Sequence, residues 1–307
     1  MEQAVRSVLS QDYKFLKVIV SDDCSSDRTF DLVDGVVSKY EGCHLVKCRK
    51  SPKNLGLTAH LNEVMREVDT ELVVLAAGDD VSLPDRVTKI VDFYKSAGRP
   101  QLIFSNAYKI DKDGNLVGGL GPEKVLPIQD FDEVLRSLDG VGGRIGLYLG
   151  ATGAWSMSLW NKYGGINYAA CWEDVVMGFR AMLEDSYLFI DEPLVKYRVN
   201  VGLSSMKSDQ MGSVLSLRQQ KIKLKRDLAL QRLDDLMLSP HANDGFANKL
   251  VALQVLEHTF RLSIYQPSFR VLRHFIRSPR ISIKVICSEL LFFLKFVMKS
   301  GFNFTKR

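Results

Sequence analysis

The chain has 307 residues, 46% hydrophobic and 25% charged, which excludes a disordered or fibrous protein and is enough for one large domain or two smaller ones. The net charge of +5 is uneven: residues 211–307 carry 17 Lys and Arg against 6 Asp and Glu, and the rest carries 24 against 30. Five cysteines (Cys24, Cys43, Cys48, Cys171, Cys287) with no CxxC spacing argue against a structural zinc site or disulfide framework and for a reducing compartment.

Met1–Arg6 opens an amphipathic helix rather than a signal peptide. Leu16–Val20 is short, apolar and β-branched, so it reads as a buried strand. A helical period runs from Asp27 to Lys39, His44–Lys47 is the next strand, and Asn54-Leu55-Gly56 is a turn before a helix from Leu57 to Val68. Glu71–Leu75 is a strand, Pro84 starts a helix reaching Tyr94, and Gln101–Ser105 is a strand again. This alternation predicts an α/β fold with a mainly parallel central sheet flanked by helices.

From Asp111 to Gly150 glycines multiply and the pattern loosens, with one helix expected over 131–138. Order returns with Ala154-Trp155-Ser156-Met157 and then Leu159 to Tyr163, with Gly164-Gly165 as a stop. Glu173–Leu183 is helical, and strands are expected at Tyr187–Ile190 and Leu194–Val199. Residues 211–307 form a basic helical extension to a domain spanning 1–210. Within it, Ile281–Met298 is apolar but interrupted by Lys284, Glu289 and Lys295, which suits an interfacial helix, or a cap on the protein's own core, better than a membrane span. The basic tail fits contact with anionic lipid or a phosphorylated lipid, or simply a solvated helical face.

Three acidic stations stand out: Ser21-Asp22-Asp23-Cys24-Ser25-Ser26-Asp27, Gly78-Asp79-Asp80 leading to Pro84-Asp85-Arg86, and Trp172-Glu173-Asp174. The first two follow strands, at the edge where open α/β sheets bind ligands. Acids there suit a sugar hydroxyl, a base N–H or a divalent metal on a diphosphate. A helix N-cap is the alternative reading of Asp22-Asp23, although Ser25 or Ser26 could cap and leave an Asp free, and it is also the alternative for Glu173-Asp174. Adjacent Asp79 and Asp80 would repel each other without a cation.

Five blocks in order resemble an inverting family 2 glycosyltransferase of GT-A fold: SVLSQDYKFLKVIVSDDCSSDRT, NLGLTAHLNEVM, LVVLAAGDDVSLPDRV, GATGAWSMSLWNKYGGI and WEDVVMGFRA. They cover about Glu2 to Ser205. The resemblance implies a nucleotide-sugar donor, with Asp22 and Asp23 on the nucleoside and Asn54, Gly56 and Asn62 supporting it, although a plain turn also explains Asn54-Leu55-Gly56. It places Mg²⁺ or Mn²⁺ on Asp80, with Asp79 on the metal or near the ribose. Asp174 would be the catalytic base. Glu173, Trp172 and Trp155 would face a polysaccharide or lipid-linked glycan acceptor, with Trp172 equally a core or rim residue, and Arg198 would reach the diphosphate. The protein would work in the cytoplasm, peripheral to the inner membrane face through 211–307.

Two departures are notable. The family often has an acid where Ala77 stands, and often a His where Asn200 stands. The family also has a strand about a dozen residues before Ser7-Val8-Leu9; without it, a less stable and less active chain is expected. That makes a non-catalytic sugar-nucleotide or glycan-binding remnant the main rival reading. A dinucleotide oxidoreductase is disfavoured because no GxGxxG follows an early strand, and nucleic-acid binding lacks any motif.

Overall fold

The structure is a computed structural model that describes residues 1–120, 135, 147–199, 211–265 and 291. The chain divides into two compact units, Met1–Met206 with Leu238–Pro240, and Lys207–Met237 with His241–Arg307.

The first unit begins with α1 (Glu2–Leu9), whose Val5 and Leu9 pack against Val18 of β1 (Lys17–Asp22) and Val33 and Val36 of α2 (Thr29–Val37). β2 (Leu45–Lys50) pairs with β1 in parallel, the direction that a crossover through α2 allows. After α3 (Leu57–Met65) come β3 (Leu72–Val74), β4 (Val81–Ser82), α4 (Arg86–Ser96), β5 (Leu102–Ile110) and β6 (Leu116–Leu120). A 3₁₀ turn at Gly150–Thr152 leads into β7 (Gly153–Ser156), α5 (Met157–Tyr163), α6 (Glu173–Leu183) and β8 (Tyr187–Arg198).

The larger sheet has the order β3-β7-β5-β8-β4, with β6 on β5. Its core is the run Leu102-Ile103-Phe104 under Ile90 and Tyr94 of α4, with Ala154, Ile190 and Leu194. The fold is α/β, as the alternation predicts, but the sheet is mixed. β1–β2 and β5–β8 are parallel, while β7 runs antiparallel between β3 and β5, and β4 is antiparallel to β8. The two strands expected at Tyr187–Ile190 and Leu194–Val199 are one strand. Its register against β5 shifts beside Asn106 and Pro193, where a residue without an N–H interrupts the ladder. Among the described residues, β1–β2 shares no hydrogen bond with the larger sheet.

The second unit contains α7 (Met211–Leu238) and α8 (Gly245–Tyr265). Ile222, Leu228, Leu236, Val251 and Phe260 are buried, and Arg218 donates from Nε to the Tyr265 hydroxyl, joining the helices. Asp244 caps α8 by accepting the N–H groups of Phe246 and Ala247. No helix among the described residues is long and apolar enough to cross a membrane. The segments 131–138 and Ile281–Met298 fall outside the described residues, apart from helical Leu135 and Leu291.

Candidate active site

The first station closes on itself and on α3. Cys24 takes a left-handed φ of 59°, which folds Ser25 back so that its N–H and hydroxyl both donate to Asp22. Asp23 accepts the N–H groups of Leu55 and Gly56, each at 2.8 Å, and His60 Nδ1 lies 3.4 Å from it. Gly56 can present its N–H there because it sits at φ +78°, a conformation side chains disfavour. Asn54 is exposed on the same turn. Of the two acids expected on a nucleoside, Asp23 therefore fastens the end of β1 to the start of α3, and Asp22 holds its own turn through Ser25.

From α3 the connection continues to the third station. The Thr58 hydroxyl donates to the Cys171 carbonyl at 3.0 Å. The Asn62 side chain donates to the Ile166 carbonyl at 2.8 Å and accepts the Ile166 N–H at 2.9 Å. Expected beside the nucleotide, Asn62 holds the loop that delivers Trp172, Glu173 and Asp174. Trp172 stands at the N-cap of α6 and is 41% exposed.

Asp174 accepts the Gly150 N–H at 3.2 Å and the Val175 N–H at 2.8 Å. Position 150 is tight: a Cβ there would lie 3.0 Å from Glu173 Oε1 and 3.3 Å from Asp174 Oδ2, so a larger residue would make those side chains give way. Burial, then the Asp174 charge, pushes Glu173 up to about 7, and burial raises Asp174 as well. Tyr148, which the sequence did not single out, stacks on Phe104 with ring centroids 5.5 Å apart. Its hydroxyl is buried without a partner among the described residues, and burial with the Asp174 and Glu173 charges raises it well above the ordinary phenol range.

At the second station Asp80 is buried and accepts the Arg198 N–H at 2.7 Å. Burial, with a smaller push from Asp79, raises its carboxyl to about 6. The Arg198 guanidinium, expected at a diphosphate, donates to the carbonyls of Asp79, Asp111 and Lys112 and to Gln3 Oε1. It ties the acidic loop to the end of β5. Trp155, expected at the acceptor, is fully buried on β7 and belongs to the core.

Arg86 links the second and third stations. It is 1% exposed and donates to the carbonyls of Leu75 and Ala151, each at 2.9 Å, and to Ser82. Burial lowers it to about 10, against the favourable charge of Asp80. The turn that receives Arg86 at Ala151 is the one whose Gly150 N–H reaches Asp174, so Arg86 and Asp174 are braced on the same short segment. Pro84-Asp85-Arg86 lay within the acidic station in the text, but nothing there marked the Arg as a buried brace.

Among the described residues no three or more His, Cys, Asp or Glu side chains form a metal cluster. Asp79 and Asp80 nonetheless fit Mg²⁺ or Mn²⁺, which takes one or two carboxylates with phosphate oxygens and water filling the rest. An Asp80 raised to about 6 is a group that a cation would hold ionised.

Glu173 gives a prediction independent of catalysis. Its folded value near 7 exceeds its ordinary 4.5, so its ionisation costs stability progressively between those values and fully above them. Glu173→Gln is expected to stabilise the chain at pH 8 by about 1–2 kcal/mol, a figure reduced for partial exposure, and to have little effect near pH 4.5. Urea unfolding at the two pH values checks it.

Residues 1–141 match the family model for glycosyl transferase family 2. Over 143 residues the chain is 27% identical to the GalNAc(5)-diNAcBac-PP-undecaprenol beta-1,3-glucosyltransferase of Campylobacter jejuni, covering 46% of this chain and 45% of that protein. It is 25% identical over 125 residues to the glycosyltransferase MJ1057 of Methanocaldococcus jannaschii, covering 40% and 42%. The match thus spans less than half the length of these curated relatives. The crystal structure of S. aureus TarS residues 1–349 with UDP superposes with a TM-score of 0.53 at 16% identity, covering 89% of this chain and 73% of that one, a likeness of fold. Residues 1–141 are therefore similar to glycosyl transferase family 2, and the fold is similar to that of TarS.

Proposed function

We propose that the protein transfers a sugar from a nucleotide-diphosphate donor, a UDP-sugar by preference, to a polysaccharide or lipid-linked glycan with inversion at the anomeric carbon. One observation carries this reading. The Gly150–Gly153 turn receives both Arg86, whose charge acts on Asp80, and Asp174, so a residue coupled to the donor-side acids and a separate half-buried carboxylate share one support. A single in-line displacement needs those two functions on either side of the reacting carbon.

In this reading Asp174 takes the proton of the acceptor hydroxyl as the new bond forms, and the burial that raises its carboxyl makes it a stronger base than an exposed aspartate. Glu173 orients the acceptor, and Trp172 stacks on a sugar ring. Asp22, Asp23 and the Asn54–Gly56 turn line the nucleoside side. Asp80 and Asp79 would hold Mg²⁺ or Mn²⁺, which when bound neutralises the charge growing on the departing diphosphate. The basic stretch 211–307 would bring the enzyme to an anionic membrane surface.

The test is a calorimetric screen of UDP-, GDP- and dTDP-sugars with Mn²⁺, followed by an assay for release of the nucleoside diphosphate. One donor class should bind saturably and be turned over. Binding without turnover supports a binding protein, and no binding by any donor refutes both readings.

A further inference from the structure

Segment 164–172, between α5 and α6, lies outside every helix and strand. Buried backbone groups in such a stretch need other partners, and side chains of α6 and α3 supply them. Arg180, fully buried on α6, reaches back to the carbonyls of Gly164 at 2.8 Å and Gly165 at 3.1 Å. α3 holds the middle and the end. The Asn62 amide takes both backbone groups of Ile166. The Thr58 hydroxyl, 4% exposed, donates to the carbonyls of Cys171 at 3.0 Å and Ala169 at 3.3 Å.

Thr58 and Asn62 stand at i and i+4 on α3 and so share a face. Leu61 and Met65 beside them are apolar and buried. The fit is close: a Cβ at Gly165 would lie 3.0 Å from Asn62 Oδ1 and 3.2 Å from its Cγ. α3 itself is fixed without help from this segment. Asp23 holds the Leu55 and Gly56 N–H groups, Ser51 Oγ lies 3.0 Å from His60 Nδ1, and Glu63 and Glu67 pair with Arg49 and Lys47 of β2. Cys171 is three residues before Asp174, so the place of its carbonyl governs where α6 starts.

We propose that Thr58 is a positioning residue: its hydroxyl, with the Asn62 amide, uses α3 as a fixed support to set where the Asp174 carboxylate stands. The proposal rests on the function proposed above, in which Asp174 is the base. A catalytic group displaced by about 1 Å costs on the order of a hundredfold in rate. The titratable groups facing Asp174 are Glu173 and Tyr148. Burial is the largest influence on Asp174, so a loosened segment that admits water lowers its carboxyl toward the ordinary aspartate range.

The test compares the full chain with Thr58→Val, which keeps the shape and loses the donor, and Thr58→Ser, which keeps the donor. With the sugar donor found in the screen, Thr58→Val should lower kcat by about 10–100-fold and leave the donor KM within about twofold. Its rate should persist to lower pH than the wild type's. Thr58→Ser should recover kcat to within about threefold of wild type. An unchanged kcat in Thr58→Val, a loss carried by KM, or a loss that Thr58→Ser does not recover overturns the proposal. Should Thr58→Val not fold, Gly165→Ala takes its place: it displaces the Asn62 amide without removing a donor, and should cost about threefold or more in kcat, with KM read in the same way. If the wild type turns over no donor, the transferase reading fails, and carbon-13 titration of the Asp174 carboxyl decides the positioning role instead. A lower midpoint in Thr58→Val upholds it, and an unchanged midpoint overturns it.

Discussion

Asp174→Asn is expected to lower the rate of sugar transfer by about 10²–10⁴-fold while leaving donor affinity within about twofold. The amide has the carboxylate's shape, but Gly150 and Val175 donate to different oxygens, Oδ2 and Oδ1, so asparagine keeps one of the two bonds at the start of α6 and forfeits the other. What it cannot do is accept the proton of an acceptor hydroxyl. Because burial raises Asp174, the wild-type rate should fall as pH drops and the base protonates, and the variant's residual rate should lack that limb. Steady-state rates with the donor found in the screen, measured from pH 5 to 8, check both points. A variant that transfers at the wild-type rate removes Asp174 from the role.

Arg86→Met is expected to be the most damaging single change to the fold, at about 3–5 kcal/mol. Methionine keeps the apolar stem but removes the donors that Leu75, Ala151 and Ser82 share, and leaves two buried carbonyls without that partner. It also removes the positive charge that helps hold Asp80 ionised, so Asp80 should titrate above its present value of about 6. Arg86→Lys should recover only part of the loss, since one ammonium cannot reproduce a planar fork. Urea unfolding of the three proteins, with the midpoint and slope compared, measures this. A loss under 1 kcal/mol would mean that the Gly150–Gly153 turn stands without its brace.

Much of the first unit was legible because burial writes itself into period. Val5 and Leu9 on α1, the β-branched run of β1, and Leu102-Ile103-Phe104 each face one environment along their length, and the sequence repeats accordingly. β4 and β6 were not legible: the first is two residues long, and the second lies in the glycine-rich stretch where no alternation survives. The antiparallel direction of β7 depends on a distant partner, which no local pattern encodes.

The stations were visible as acids at strand ends, but the jobs of individual side chains were not. Asn62 and Arg198 are polar residues in suggestive places, and each is spent on backbone: Asn62 on Ile166, Arg198 on Asp79, Asp111 and Lys112. Trp155 is one position from Ala154 on a strand buried on both faces, so an aromatic in a glycine-rich block is core. Arg86 and Tyr148 went unnoticed because a buried cation and a buried phenol have no signature until their surroundings are known.

The most direct test of convergence is donor binding by Asp80→Ala and Asp174→Asn side by side, titrated calorimetrically with and without Mn²⁺. The account predicts that Asp80→Ala loses the metal-dependent part of the affinity and Asp174→Asn keeps all of it. Equal losses in both variants, or metal-dependent binding intact in Asp80→Ala, would contradict it.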